Sequence, residues 1–247
     1  MVTSKVDLMW HLPPNQLSVS SNQVHIWRIF LDSPAISIDL LAQTLSTDEY
    51  IRAERFYFER DKNRFIVARA SLRTILGSYL GVAAEQVQFC YGHRGKPALA
   101  QPYAKSGLCF NLSHSGDLAV CAVTRDREIG VDVELIRPIT EAEQIAKRYF
   151  SVRENASFQA LPNSERQAGF FYHWTRKEAY LKAEGEGLSA DSDRFDTSVA
   201  IDNPKVPSIS DRSIPRWFLQ GFTPAPNYTA TVAVEGKGWD LTYWQYP

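Results

Sequence analysis

IGVDVEL, residues 129–135, interleaves strand-forming apolar residues with two carboxylates, Asp132 and Glu134. Side chains change face at each step along a strand, so Asp132 and Glu134 share one face while Ile129, Val131 and Val133 take the other. Two negative charges held side by side need something to hold them. Upstream, VHIWRIF (24–30) alternates as a first strand. Ser46 and Glu49 fit a capping box that opens a helix to about Glu59, and a second helix over 62–80 stops at Gly81. Short strands follow at 87–91, 109–112 and 118–123, and the turn TRDRE leads straight into 129–135 as a hairpin. Downstream come helices at 141–149 and 165–184, then strands at 194–200, 216–222, 228–234 and 239–245. The Pro/Ser-rich stretch 202–215 reads as an exposed loop. Strand, helices, then several strands, twice over, predicts an α+β fold with α/β-type layers. It divides into two halves, 24–127 and 128–247, behind an extended arm over 1–23.

At 247 residues the chain can bury a sizeable core. Its net charge of −1 argues against a nucleic-acid partner, which selects a basic excess. Cys90, Cys109 and Cys121 form no C-x-x-C pair, unlike a disulfide framework or a zinc site. The first residues contain no apolar leader, and no stretch nears the roughly 20 apolar residues that span a bilayer. The expectation is a cytoplasmic protein with free thiols and no membrane contact.

The chemistry gathers further along. In FFYHWTRKEAYLKAEGEGL (170–188), Trp174, Glu178 and Lys182 fall at i, i+4 and i+8, one helical face ending at Gly185 and Gly187. Alone, that is an exposed Glu–Lys pair beside a core tryptophan. Joined to Asp132 and Glu134, Glu178 becomes a third carboxylate around a hard cation, with Lys182 one turn away. Oxygen donors without a His or Cys cluster favour Mg²⁺ or Mn²⁺ over zinc, and Mg²⁺ commonly bridges carboxylates to substrate phosphates. The first half offers partners for phosphate. YIRAERFYFERDKNRFIVARASLR (50–73) carries Arg52, Arg55, Arg60, Lys62, Arg64, Arg69 and Arg73; YGHRGKP (91–97) sets a tight turn; FNLSHSGD (110–117) follows a strand end with hydroxyls and His114.

The succession GKP, FNLSHSG, IGVDVE, FYHWTRKEAYLKAEGEGL resembles the 4'-phosphopantetheinyl transferases of the surfactin-synthetase-activating type, including their cyanobacterial members. The motifs cover 94–188, and the basic segment extends the match back to about 50. The resemblance implies two pseudo-symmetric halves, each a small, mostly antiparallel sheet packed with helices, in a monomer with its active site at their interface. It implies transfer of 4'-phosphopantetheine from coenzyme A to a serine of an apo acyl or peptidyl carrier protein, with release of adenosine 3',5'-bisphosphate. By motif position, Asp132, Glu134 and Glu178 correspond to the metal-binding acids and Lys182 to the pyrophosphate-contacting lysine. Ser113 and His114 correspond to groups at the nucleotide phosphates, Lys96 and Pro97 to the adenine-side turn, and Arg64 to the 3'-phosphate arginine. Arg52 and Arg55 stand where related chains carry further basic residues. Glu154, in RYFSVREN, occupies the place of an acid assisting proton transfer, joining Glu178 and Lys182 in the catalytic set. Glu154, Lys182 and a metal-bound water remain alternative acceptors of the serine proton.

Two other classes compete. A metal-dependent phosphohydrolase or nuclease also uses acids on a strand, but restriction-type nucleases carry a lysine two residues after the strand glutamate, where Ile136 stands here, and the near-neutral charge disfavours a duplex. A non-catalytic carrier-binding module need not keep three acids and Lys182.

Overall fold

The computed structural model describes residues 8–185, 187, 193, 195–197 and 216–247. Helix α1 (Ile38–Ala42) and α2 (Thr47–Ala53) follow strand β1 (Gln23–Phe30), and the 22-residue α3 (Glu59–Leu80) comes next. Then come β2 (Phe89–Tyr91), β3 (Pro97–Leu99), β4 (Leu108–Ser115), β5 (Leu118–Arg125) and β6 (Ile129–Leu135). Helices α4 (Ala142–Tyr149), α5 (Val152–Gln159) and α6 (Asn163–Glu184) precede β7 (Trp217–Phe222), β8 (Tyr228–Glu235) and β9 (Asp240–Gln245). Two main sheets result, ordered β4-β5-β1-β9 and β6-β8-β7, with β2-β3 a separate hairpin. The α+β expectation of two sheet-and-helix halves holds.

The layering explains why the central strands are apolar on both faces. Along β1 and β5, Trp27, Ile29, Ala119, Cys121 and Val123 pack on α3. The alternate residues Val24, Ile26, Leu118, Val120 and Ala122 pack against Val131, Val133, Ala230 and Val232 of the second sheet. On that sheet's far side, Ala179 and Ala183 of α6 meet Leu219 and Ala233. The order is helix, sheet, sheet, helix, and period-2 alternation with both faces buried produces it.

Several expectations shift. The helix begun at Thr47 ends at Ala53, short of Glu59, because Phe56 turns in to contact Phe65 at 5.3 Å and the chain restarts at Phe58, the N-cap of α3. Strand β4 runs on through Ser115, so the FNLSHS hydroxyls lie on the strand and not beyond its end. The strand expected at 87–91 forms as β2 and pairs with β3 in a hairpin, whereas β3 and helix α5 were not expected. Strand β9 leaves its own half to pair parallel with β1, Trp27 opposite Trp244. The arm drapes: Val19 is buried, and His11 donates its amide to Tyr243 O at 3.1 Å. The strand at 194–200 falls largely, and the loop at 202–215 entirely, outside the described residues. No described helix is long and apolar enough to cross a membrane.

Candidate active site

Strands β4 and β6 are each the edge of their sheet, and they run side by side. An edge strand leaves a row of amides that must find partners. On β6 these are Val131, Val133 and Leu135, and the side chains of β4 receive them. Asn111 Oδ1 accepts from Val131 N at 2.9 Å, Ser113 Oγ from Val133 N at 3.4 Å and Ser115 Oγ from Leu135 N at 3.2 Å. The N-x-S-x-S spacing is thereby explained, since period 2 on one strand matches period 2 on the other.

Each serine then turns its proton to a carboxylate. Ser113 Oγ donates to Asp132 Oδ1 at 2.9 Å, and Ser115 Oγ to Glu134 Oε2 at 2.6 Å. Helix α6 closes the site from above. Gly130 shares the face of Asp132 and Glu134, and a Cβ there would stand 2.1 Å from Ala179 O and 2.4 Å from Ala183 N. Glycine is the notch that seats the helix. So seated, Lys182 Nζ reaches Asp132 Oδ1 at 2.6 Å and Ser113 Oγ at 2.9 Å, and Glu178 joins the acids one turn earlier.

The electrostatics are those of a crowded anionic site. Burial pushes Asp132 above the usual carboxylate range, against the pull of Lys182 and Ser113. Burial also raises Glu134, with the Asp132 charge adding to it. Glu178 rises to about 7, from burial first and then from the charges of Asp132 and Glu134, with Lys182 opposing. Asp132 is 4% exposed, and its Oδ2 is buried with no hydrogen-bond partner. An orphaned carboxylate oxygen among three mutually repelling acids suits a small hard cation. Among the described residues, no three or more His, Cys, Asp or Glu side chains are grouped closely enough to hold a metal ion as they stand, so Asp132, Glu134 and Glu178 would have to close up around a cation or share it with water and substrate.

The other expected residues divide. His114, beside Ser113 but open to solvent, is held below the usual imidazole range by the protein packed around its ring and by Lys182, Arg52 and Arg64. Those cations therefore face the same seam. Arg64 forks onto Asp32, Nε at 2.6 Å and Nη2 at 2.5 Å. Arg52 lies over the Phe65 ring, and Arg55 is exposed. Lys96 Nζ bridges Glu128 Oε2 and Ala183 O, both at 2.9 Å, tying the hairpin and Pro97 to the end of α6. Ser113 is buried beneath Asp132 and Lys182, so it holds the site together where a phosphate contact was expected. Two members of the basic run are structural: Arg69 and Arg73 both clamp Glu49, the capping-box acid of α2.

Glu154, expected to assist proton transfer, sits in a structural setting. It is fully buried, paired with Lys177 Nζ at 2.7 Å, and it accepts from Ser151 N at 2.7 Å and from both the amide and hydroxyl of Thr197. It caps α5 and anchors the chain after α6. The sequence carried the signal: Ser151 and Glu154 have the same S-x-x-E spacing as Ser46 and Glu49. Asn111, Ser115 and Gly130, unremarked before, are the residues that build the seam.

Residues 33–126 match the family of 4'-phosphopantetheinyl transferase N-terminal regions, and residues 128–233 match the 4'-phosphopantetheinyl transferase superfamily. The chain is 46% identical over 237 residues to the 4'-phosphopantetheinyl transferase HetI of Nostoc sp., covering 96% of this chain and 98% of that one. It is 33% identical over 195 residues to the transferase psf-1 of Bacillus pumilus, covering 79% and 81%, and 29% identical over 211 residues to Sfp of Bacillus subtilis, covering 84% and 90%. With both family models matched over residues 33–126 and 128–233 and 46% identity to HetI over nearly the whole of both chains, this chain belongs to the 4'-phosphopantetheinyl transferase superfamily.

Proposed function

We propose that the chain moves 4'-phosphopantetheine from coenzyme A to a serine of an apo acyl or peptidyl carrier protein, releasing adenosine 3',5'-bisphosphate, at the seam of β4, β6 and α6. The observation that carries this reading is Asp132, one oxygen held by Lys182 and Ser113 and the other buried with no partner.

Asp132, Glu134 and Glu178 offer oxygen donors only, which suits Mg²⁺, with Mn²⁺ as its substitute. That ion retains waters and is commonly held by a few carboxylates plus substrate phosphates. When bound, it supplies charge neutralisation on the pyrophosphate. Lys182 sits within reach of the same space, and its ammonium stabilises charge growing on the departing nucleotide. Arg64 takes the 3'-phosphate by the planar fork it now gives Asp32, a geometry suited to phosphate oxygens. His114, Arg52 and Arg55 add positive or hydrogen-bonding character on the same side, and Lys96 with Pro97 forms the adenine-side turn. Ser113 and Ser115 keep Asp132 and Glu134 in place.

Incubation with coenzyme A, MgCl₂ and a panel of apo carriers tests the reading by intact mass. A gain of one phosphopantetheine on a carrier serine, with stoichiometric bisphosphate, is expected. No carrier gaining mass in the presence of folded protein refutes it.

A further inference from the structure

The turn from β4 to β5, Gly116 and Asp117, is gripped from the other half of the chain. Tyr228, the first residue of β8, is buried opposite Leu135 of β6 and extends its phenol to that turn. Its Oη accepts from the Asp117 amide at 3.2 Å and donates to Asp117 Oδ1 at 2.5 Å. A Cβ at Gly116, whose φ is +60°, would stand 2.5 Å from that oxygen, so the turn closes on the tyrosine because this residue carries no side chain. Burial, and then the bond to Asp117, push the phenol up to about 12, so it keeps the proton that it donates.

Asp117 belongs to the acids around Arg64. Its carbonyl accepts from Leu31 N at 2.8 Å, and Asp32, the next residue, takes the Arg64 fork. Arg64 is pushed above the usual guanidinium range by its bond to Asp32, against burial, and then by the charges of Asp32, Asp117 and Asp61. Three acids around one arginine weaken its attraction for a phosphate unless some of them are engaged elsewhere. Asp61 has Arg60 at 3.3 Å, and Asp117 has Tyr228. Asp117 is exposed, so the phenol bond decides which way its carboxylate turns.

We propose, on the reading that Arg64 takes the 3'-phosphate of coenzyme A, that Tyr228 is a positioning residue for that phosphate: it holds the Asp117 carboxylate to the second half and leaves Arg64 with one exposed acid, Asp32, to give up. Without the phenolic oxygen, Asp117 turns to the guanidinium, and an incoming phosphate meets two carboxylates where it had met one. The effect is confined to ligands that carry the 3'-phosphate, because only they compete for Arg64. It joins β8 to α3 across the two halves, beside the acid seam and outside it.

Calorimetry in MgCl₂ with adenosine 3',5'-bisphosphate and with adenosine 5'-monophosphate tests this, alongside carrier modification. Tyr228→Phe should weaken the bisphosphate about fivefold, the upper end of what one exposed ion pair is worth, and leave the monophosphate within about twofold. The Michaelis constant for coenzyme A should rise by the same factor with turnover at saturation held, and that for dephospho-coenzyme A should stay in place. Asp117→Asn in the Tyr228→Phe background removes the competing charge and should restore bisphosphate binding, which a merely loosened turn would not allow. Equal weakening of both nucleotides, or a double variant as weak as Tyr228→Phe, overturns the proposal. Arg64→Ala tells which assignment has failed. If it erases the preference for the bisphosphate while folded Tyr228→Phe keeps wild-type affinity, Arg64 stays with the phosphate and Tyr228 loses its role; if Arg64→Ala keeps the preference, both fall.

Discussion

Gly130→Ala tests how the site is assembled without touching any acid or base in it. The added methyl would stand 2.1 Å from Ala179 O, 2.4 Å from Ala183 N and 2.9 Å from Ala183 Cα, all backbone of α6. Ordinary contact begins near 3.4 Å, so the helix must withdraw by 3.4 − 2.1 = 1.3 Å at the closest point. No rotamer relieves a clash with backbone. Overpacking of this kind costs about 1–3 kcal/mol. The same shift stretches the 2.6 Å bond between Lys182 and Asp132 beyond hydrogen-bond range, forfeiting part of a charge-assisted contact worth about 1.5–3 kcal/mol. A total of about 3–4 kcal/mol, at roughly 2–4 °C per kcal/mol for a chain of this size, predicts a melting temperature lower by about 10 °C. Moving Glu178 and Lys182 by an ångström relative to Asp132 should also cost about a hundredfold in turnover. Calorimetry gives the first quantity and carrier modification under saturating coenzyme A the second. A folded Gly130→Ala protein with wild-type melting temperature and turnover would falsify the seating of α6 in a glycine notch.

Lys182→Ala should lower turnover by about a hundredfold, the scale of one preorganised electrostatic contact, while coenzyme A binding followed by calorimetry weakens far less. The reverse pattern would make Lys182 an anchor only. Arg64→Ala should raise the Michaelis constant for coenzyme A tenfold or more but leave that for dephospho-coenzyme A nearly unchanged, and an equal effect on both removes Arg64 from the 3'-phosphate. Glu154→Gln breaks a buried pair with Lys177 and should cost about 3–5 kcal/mol by chemical denaturation, with the pH profile of turnover unmoved. A displaced acidic limb would return Glu154 to proton transfer. His25 is buried against Tyr79 Oη at 2.6 Å and the Trp244 ring, and burial pulls it down to about 4. The unfolded chain binds its proton near pH 6.5 and the folded chain refuses it, so this stability is present above 6.5 and is lost as pH falls toward 4. Between pH 7 and 4 the wild type should therefore lose about 3 kcal/mol more than His25→Gln, and parallel curves for the two proteins would contradict the burial argument.

The sequence made the chemistry legible wherever a local period carries it. Period 2 puts Asp132 with Glu134, and the i, i+4 rule puts Glu178 with Lys182, so both halves of the acid cluster could be read without coordinates. What joins them has no periodic signature: one glycine in a strand sets the distance to a helix 49 positions later, from Gly130 to Ala179. The parallel pairing of β9 with β1 is likewise a contact between Trp27 and Trp244, invisible to any window of neighbours. Local pattern also misled in an instructive way. Arg64, Arg69 and Arg73 sit on one helix and look alike in sequence, yet Arg69 and Arg73 are fixed by a buried Glu49 while Arg64 faces an exposed Asp32. What separates them is the partner's burial: withdrawing Glu49 from two arginines strands a desolvated charge, whereas Asp32 can return to water if an anion draws Arg64 away. The same criterion sorts the glutamates. Glu154 is buried with both carboxylate oxygens partnered, whereas Asp132 is buried with an oxygen left over. An acid whose hydrogen bonds are complete is part of the scaffold, and one the fold leaves incomplete is where a ligand must supply the remainder.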